Sequence, residues 1–234
     1  MKPGTDMDES QRNEMIDLMT TRSSTYRLLS RLWGWEVDER LWAELRGVSF
    51  PSLPELPALD AGYRQLEAYL RRDDDGVIED LAADYAVLCL GARRDDGADP
   101  YGSVHLSEEG IMMQDEWEEM LYLYAELGLQ RAKTTVEPED HLALELECMA
   151  YLCQRAADAL QNGEDVDVPG TIQRQISLLD DHLLRWVPAF VEKVHKLAST
   201  DFYRAVGTIT QEYLALDRAI LADLDAVEMP ACSA

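Results

Sequence analysis

Apolar residues recur at helical spacing along nearly the whole chain. The first stripe consists of Ile16, Met19, Tyr26, Leu29 and Trp33. Steps of three, four and seven residues place such side chains on one face of an α-helix. Gly34 follows this stripe and is typical of a helix end. The pattern therefore predicts a first amphipathic helix that stops at Gly34.

The same spacing predicts that most of the remaining chain is helical. Further helices are expected at roughly 38–46, 59–72, 76–91, 107–127, 138–161, 168–187, 189–198 and 199–225. Pro188 should separate two of them, because proline cannot donate the backbone hydrogen bond of a helix interior. No segment alternates as a strand would. We predict an all-α fold, a single globular bundle of about nine helices.

Loops and ends complete this outline. Residues 92–106 form the longest irregular segment in the middle of the chain, and a long loop inside a compact domain is often functional. After it, Met113, Trp117, Met120 and Tyr124 fall on one predicted helical stripe. We expect a flexible N-terminus at 1–10, one helical domain at 11–227 and a flexible C-terminus at 228–234.

Charge narrows the range of partners. The 234 residues include 46 acids and 21 Lys and Arg, which gives a formal net charge of −25 and a pI near 4.3. Such a chain repels phosphate backbones, so we expect no nucleic-acid binding. It attracts cationic ligands, although a solvated acidic surface would produce the same composition.

Cysteine usage and hydropathy favour a reducing compartment. The chain has four cysteines, Cys89, Cys148, Cys153 and Cys232, and no two of them form a CxxC pair. Cys148 and Cys153 lie in the same apolar helical run. They are expected to be small buried hydrophobic residues. No apolar run reaches the roughly 18 residues of a membrane span, and the N-terminus has no apolar leader region. We expect a cytoplasmic protein without stable membrane insertion.

The segment Glu137-Pro138-Glu139-Asp140-His141 combines a helix-start pattern with unusual chemistry. Pro138 suits the first helical position, and Glu139 and Asp140 would then favour the positive end of the helix. The same positive end should shift His141 toward its neutral form, whereas the neighbouring Asp140 favours the protonated form. Local physics explains the acids but not the histidine. A helix cap, a catalytic dyad, a metal site and a recognition surface remain open.

Enzyme and metal interpretations find little support elsewhere in the chain. A hydrolase built on Asp140 and His141 would lack a partnered serine or cysteine motif. The other histidines, His105, His182 and His195, are scattered without metal-ligand spacing. There is also no phosphate-binding loop. We predict neither an enzyme nor a cofactor.

Five segments, taken together and in order, resemble the TorD/DmsD family of cytoplasmic chaperones for molybdoenzymes. The resemblance is carried by E-P-x-D-H at 137–141, "DYAVLCLG" at 84–91, "PYGSVHL" at 100–106, "DHLLRWVPAFVEKV" with His182, Trp186 and Phe190, and "DFYRAVGTIT" from Asp201. It covers roughly residues 20 to 225. We expect Tyr85, Trp186 and Phe190 to be core residues, because large aromatic side chains favour burial.

The resemblance implies a binding protein rather than a catalyst. It implies that the chain binds the twin-arginine signal peptide and the apo-form of a molybdopterin oxidoreductase subunit, and supports cofactor insertion and proofreading before export. Carried over by motif, the signal-peptide-binding residues are Leu88, Cys89, Pro100, Tyr101, Ser103, Glu137, Pro138, Asp140 and His141. Carboxylates such as Glu137 and Asp140 would pair with the two arginine residues. An alternative role for Ser103 is to cap a turn without contacting the peptide.

Some features depart from the family pattern or leave alternatives. Cys89 stands where the family has phenylalanine, and Ala92 stands where it has proline. The insert Arg93–Gly97 places two arginines near the expected site, next to two aspartates that can neutralise them. A related alternative is an assembly chaperone of the NarJ type, which acts on a nitrate-reductase-like subunit. The chain is expected to be a monomer or a helix-swapped dimer, with a hinge near residues 132–136.

Overall fold

The computed structural model describes residues 7–72, 75–91, 97–132, 135–163 and 167–226. Ala92, most of the 93–97 insert, hinge residues 133–134 and Cys232 lie outside these ranges. The described residues form ten α-helices and one π-helical turn. They are α1 (Glu9–Gly34), α2 (Glu39–Arg46), α3 (Pro57–Leu70), α4 (Val77–Cys89), α5 (Gly102–Leu106), α6 (Asp115–Glu126), α7 (Leu142–Asn162), α8 (Val168–Ser177), α9 (Leu184–Leu197) and α10 (Asp201–Ala226), with the π-helical turn at Leu178–Leu183 between α8 and α9.

Within these ranges the fold is all-α, as predicted, and no strand is present apart from one isolated bridge. Helix α1 begins after a capping box between Asp8 and Gln11, two residues before the predicted domain start at 11. Its predicted stripe is confirmed. Met19, Tyr26, Leu29 and Trp33 are buried, and Ile16 packs against the same core.

Helices α1 and α7 pack along each other, and α10 also contacts α1. A buried ion pair between Arg22 of α1 and Asp217 of α10 joins these two helices. The Arg22 guanidinium donates to both carboxylate oxygens of Asp217, at 2.6 and 2.8 Å. The hydroxyl of Tyr26 donates to the same carboxylate at 2.6 Å. A planar guanidinium that meets a carboxylate with two hydrogen bonds fixes geometry as well as charge. The first and last helices are therefore locked together in the core.

Asp84 connects α4 to the start of α10. Its carboxylate accepts the backbone N–H groups of Ser199 and Thr200, each at 2.9 Å, and the Thr200 hydroxyl at 2.6 Å. These donors lie at a helix N-terminus, where backbone N–H groups lack intrahelical partners. The aspartate of the "DYAVLCLG" segment is thus a structural cap, buried to 2% exposure.

Two predicted boundaries around the middle loop are wrong. A short helix, α5, lies inside the segment predicted to be irregular, and α6 begins at Asp115 instead of near Ser107. Met120 and Tyr124 are buried as predicted and Trp117 is half-buried. Met113, however, precedes the helix and is 53% exposed. Its backbone has a positive φ of 63°, which is incompatible with continuing a right-handed helix.

The predicted break at Pro188 is also wrong, because α9 continues through this residue. The irregularity lies one turn earlier, in the π-helical turn that ends at Leu183. Proline cannot donate to the carbonyl four residues before it, and its ring crowds that carbonyl, here that of Leu184. The wider turn directly before Leu184 absorbs the distortion without ending the helix.

Core predictions for the cysteines and aromatic residues are largely confirmed. Cys89, Cys148 and Cys153 are free and buried, and Trp186 and Phe190 are at most 1% exposed. Tyr85, at 4%, is buried as well. No helix in the described ranges is both long and apolar enough to cross a bilayer.

Candidate functional site

The two motif segments 100–106 and 137–141 meet as a short antiparallel bridge between Tyr101 and His141. The Gly102 amide donates to the Asp140 carbonyl at 3.0 Å, and the Leu142 amide donates to the Pro100 carbonyl at 2.8 Å. These backbone bonds bring together residues that are far apart in sequence. The structure therefore brings four of the predicted site residues, Pro100, Tyr101, Asp140 and His141, to one junction.

Asp140 lies beneath this junction and is completely buried. Its Oδ2 accepts the Ser103 backbone N–H at 2.9 Å and the Ser103 hydroxyl at 2.6 Å. The Ser103 oxygen accepts in turn from the Gln114 amide at 3.0 Å. Ser103 does more than cap a turn, because it connects the Asp140 carboxylate to the segment that leads into α6.

His141 caps α7, and the predicted helix start at Pro138 is wrong. The helix begins at Leu142, and His141 Nδ1 accepts the Ala143 amide at 3.1 Å. Burial lowers the pKa of His141 to about 4, so burial, and not the helix end from which neutrality was predicted, favours the neutral imidazole. Pro138, Glu139 and Asp140 precede the helix, where the His141 amide donates to the Pro138 carbonyl. The histidine that local physics did not explain is therefore an N-cap.

Three of the predicted site residues, Tyr101, Glu137 and Pro138, reach the surface, each half-buried. The Tyr101 hydroxyl donates to Glu137 Oε2 at 2.6 Å. Burial and this carboxylate raise the pKa of Tyr101, so the phenol stays protonated and remains a donor. We call these three residues the junction surface. It combines one carboxylate, one aromatic ring and one proline ring, each on a half-buried residue.

Leu88, Cys89 and Pro100 form buried support behind this surface. Leu88 is fully buried and Cys89 is 5% exposed, while the Leu88 carbonyl accepts the Asp99 amide at 3.3 Å. Burial raises the pKa of Cys89, with the Glu137 carboxylate as a further cause. The thiol therefore stays protonated, which disfavours a nucleophilic role.

Trp117 and Arg131 also contact the site, although the sequence did not identify them. They bind Glu139 and the segment next to it. Trp117 Nε1 donates to Glu139 Oε2 at 2.6 Å, and Arg131 Nε lies 3.5 Å from Glu139 Oε1. Arg131 also donates to the Glu137 carbonyl at 2.7 Å. No spacing rule connects these residues, so only the tertiary structure identifies them.

A second buried carboxyl, Glu145, lies one helical turn after His141 and was also missed. Burial, and then the Asp140 charge, raise its pKa. Trp186 Nε1 donates to Glu145 Oε2 at 3.4 Å, while Oε1 has no hydrogen-bond partner among the described residues. Mutual repulsion and burial favour a neutral Glu145 beside the Asp140 clamp.

The geometry does not form a hydrolytic site. The Ser103 hydroxyl and its acceptor Asp140 are both completely buried, so a substrate does not reach this oxygen. His141 Nδ1 already accepts a backbone amide and is not free to take the proton of a nucleophile. Among the described residues, no group of three histidine, cysteine or acidic side chains is arranged to hold a metal ion. What the junction can offer is a recognition surface on a rigid base.

Comparison with known proteins also favours a binding protein over an enzyme. A family model described as the nitrate reductase delta subunit matches residues 56–192. A protein named Chaperone protein TorD from Photobacterium profundum is 31% identical over 215 residues, which span 89% of this chain and 97% of the relative. A Chaperone protein TorD from Shewanella piezotolerans is 28% identical over 208 residues, 84% of this chain and 90% of the relative. The relatives are thus named as chaperones and not as enzymes.

Proposed function

The chain belongs to the TorD/NarJ family, and on that basis we propose that it is a cytoplasmic chaperone for a molybdoenzyme precursor. It binds the twin-arginine signal peptide of that precursor and holds the apo-enzyme while the molybdopterin cofactor is inserted. Export follows only after insertion. This function requires a surface for an arginine-containing peptide and no covalent chemistry.

The observation that carries the proposal is the half-buried Glu137 carboxylate on the junction surface. A carboxylate in that position accepts a guanidinium in a charge-assisted hydrogen bond, which is stronger than a neutral one. The Tyr101 hydroxyl, 2.6 Å from Oε2, orients this carboxylate. Arginine stacks on aromatic faces, so the Tyr101 ring offers a second contact to the same side chain.

The buried members of the predicted site have a supporting role in this proposal. Asp140 and His141 are 0% and 3% exposed, so a peptide on the surface does not contact them. They fix the junction through Ser103 and the start of α7. Substitution of either residue would therefore weaken peptide binding indirectly, because Tyr101 and Glu137 would no longer be held in position. It would also lower the stability of the fold.

Net charge supports rapid encounter with a cationic peptide. At −25, the long-range field attracts arginine-rich segments and raises association rates, most strongly at low ionic strength. The field does not choose between cationic partners. Selectivity has to come from the local geometry of Glu137 and Tyr101.

A second candidate is favoured by the family model, whose description names a nitrate reductase subunit. In that alternative the chain assembles a nitrate-reductase-like catalytic subunit and recognises a part of it other than a twin-arginine signal. The two candidates differ in whether removal of the signal peptide abolishes binding.

Co-purification separates the two candidates. The tagged chain is co-expressed with each molybdoenzyme precursor of its genome, complete or without its signal peptide, and complexes are weighed by native mass spectrometry. Under our proposal one precursor forms a complex that is lost when the signal peptide is removed. A complex of equal yield with the truncated precursor would instead support the NarJ-type assembly role.

A further inference from the structure

Three consecutive apolar residues project from the loop between α5 and α6. Ile111 is 54% exposed, Met112 48% and Met113 53%. We call residues 111–113 the apolar tip. Isolated exposed apolar side chains are common, but a contiguous patch with a polar rim is typical of an interaction site.

The backbone of the apolar tip is held in place although its side chains are not buried. Gln114 anchors its end, since its amide donates to Ser103 Oγ at 3.0 Å and its side chain donates to the Met112 carbonyl at 3.2 Å. Before the tip, the Gly110 amide donates to Ser107 Oγ at 3.1 Å. Met113 adopts a positive φ of 63°, which few side chains tolerate. Local bonding thus holds these side chains outward.

The tip is connected to the junction surface through Ser103. One residue, Gly102, separates Ser103 from Tyr101, so their Cα atoms lie within about 7 Å of each other. Gln114, bonded to Ser103, directly follows Met113 in sequence. An extended peptide advances about 3.3 Å per residue, so fewer than about ten residues reach from Tyr101 to the tip.

Charge around the tip defines the chemistry of its partner. Residues 101–126 contain seven acids and no lysine or arginine. Glu108 and Glu109 precede the tip, and Asp115 follows it, all exposed. An apolar segment whose charged sequence neighbours are all carboxylates fits an apolar peptide segment flanked by cations and disfavours an acidic partner.

We propose that the apolar tip binds the apolar segment of the same peptide whose arginine residues contact Glu137. This inference rests on the proposed function and adds a second contact to it. Methionine side chains are flexible and polarizable, so Met112 and Met113 adapt to apolar sequences of different shape. The tip therefore contributes affinity with little sequence selectivity, and the junction surface selects for arginine.

Two peptides and two variants test this division of roles. Both peptides carry the twin-arginine pair, and one has its apolar run replaced by serine and glycine at equal length. The variant I111S/M112S changes the tip, and Val48→Ser is the control, because Val48 is similarly exposed at 45% after α2. Dissociation constants are measured by isothermal titration calorimetry, with folding checked by circular dichroism.

Under the proposal, the wild-type chain and Val48→Ser bind the apolar peptide at least ten-fold more tightly than the polar one. I111S/M112S binds both peptides equally and as weakly as the wild-type chain binds the polar one. If I111S/M112S retained the full preference for the apolar peptide, the tip would not be its contact and the inference would be overturned. Wild-type binding to neither peptide would contradict the proposed function itself.

A second copy of the chain is the competing occupant of the tip. Light scattering on the same samples decides this point. Under our inference I111S/M112S leaves the oligomeric state unchanged. A wild-type dimer that dissociates in this variant, while peptide affinity stays the same, would assign the tip to self-association and overturn the inference.

Discussion

The hydroxyl of Ser103 donates to Oδ2 of Asp140 at 2.6 Å, and both residues are completely buried. The backbone N–H of Ser103 donates to the same oxygen at 2.9 Å. One carboxylate oxygen thus holds the main chain and the side chain of a residue from the other motif. This pair fixes the junction on which the proposed peptide surface lies.

Asp140→Ala should destabilise the protein by roughly 2 to 4 kcal/mol, because two buried donors lose their acceptor. Ser103→Ala should cost less, since its backbone N–H still reaches Asp140. Urea denaturation of both variants and the double variant measures their coupling. We expect a coupling energy of about 1 kcal/mol or more, whereas additive losses would show that the pair does not act as a unit.

Stability should depend on pH through His141. Its pKa is about 4 in the folded chain against an ordinary value of 6.5. Between these values the unfolded chain binds more protons, so stability present above pH 6.5 is lost as pH falls toward about 4. A difference of this size corresponds to about 3 kcal/mol.

His141→Asn isolates this contribution, because asparagine can accept the Ala143 amide as an N-cap but does not titrate. Denaturation is measured from pH 7 to pH 4.5, with the same buffers for both proteins. The wild-type chain should lose clearly more stability than the variant over this range. Parallel curves would mean that the pKa of His141 is the same in the folded and the unfolded chain.

Asp84→Ala should reduce stability without changing peptide recognition. Three donors at the start of α10 lose their acceptor, at a cost of roughly 2 to 4 kcal/mol. Asp84 contacts Ser199 and Thr200 and no residue of the junction surface. Peptide affinity at a temperature where the variant stays folded should match wild type. A loss of affinity above about ten-fold, or 1.4 kcal/mol, would place Asp84 in the recognition machinery.

Glu137→Gln should weaken peptide binding by about ten-fold or more, since an amide cannot replace a carboxylate that pairs with a guanidinium. The salt dependence of binding should also decrease, because one attractive charge is removed. Glu55→Gln is the charge-matched control on an exposed loop. Equal effects of the two substitutions would show that only net charge matters.

Sequence periodicity predicted the helical fold well because most helices carry buried stripes, as Met19 and Tyr26 do on α1. It failed at Met113 for a physical reason. The amide of Gln114 bonds to Ser103, so the chain turns away from the helix before α6 begins. Periodicity describes side-chain spacing and contains no information about such a tertiary hydrogen bond.

The candidate site shows the same limit. Motifs identified Asp140 and His141, but neither their burial nor their roles follow from spacing. The helix begins at Leu142 because His141 is held extended by its bridge to Tyr101, which belongs to a distant segment. Trp117, Arg131 and Glu145 carry no motif signal and were found only from their contacts.

The most direct test of the central claim is isothermal titration of the purified chain with twin-arginine signal peptides and with matched peptides in which both arginines are lysine. The charge is the same, but lysine lacks the planar fork that meets a carboxylate and stacks on an aromatic ring. We predict micromolar or tighter binding of one arginine peptide and at least ten-fold weaker binding of its lysine counterpart. Binding of no arginine peptide, or equal binding of both forms, would contradict the account.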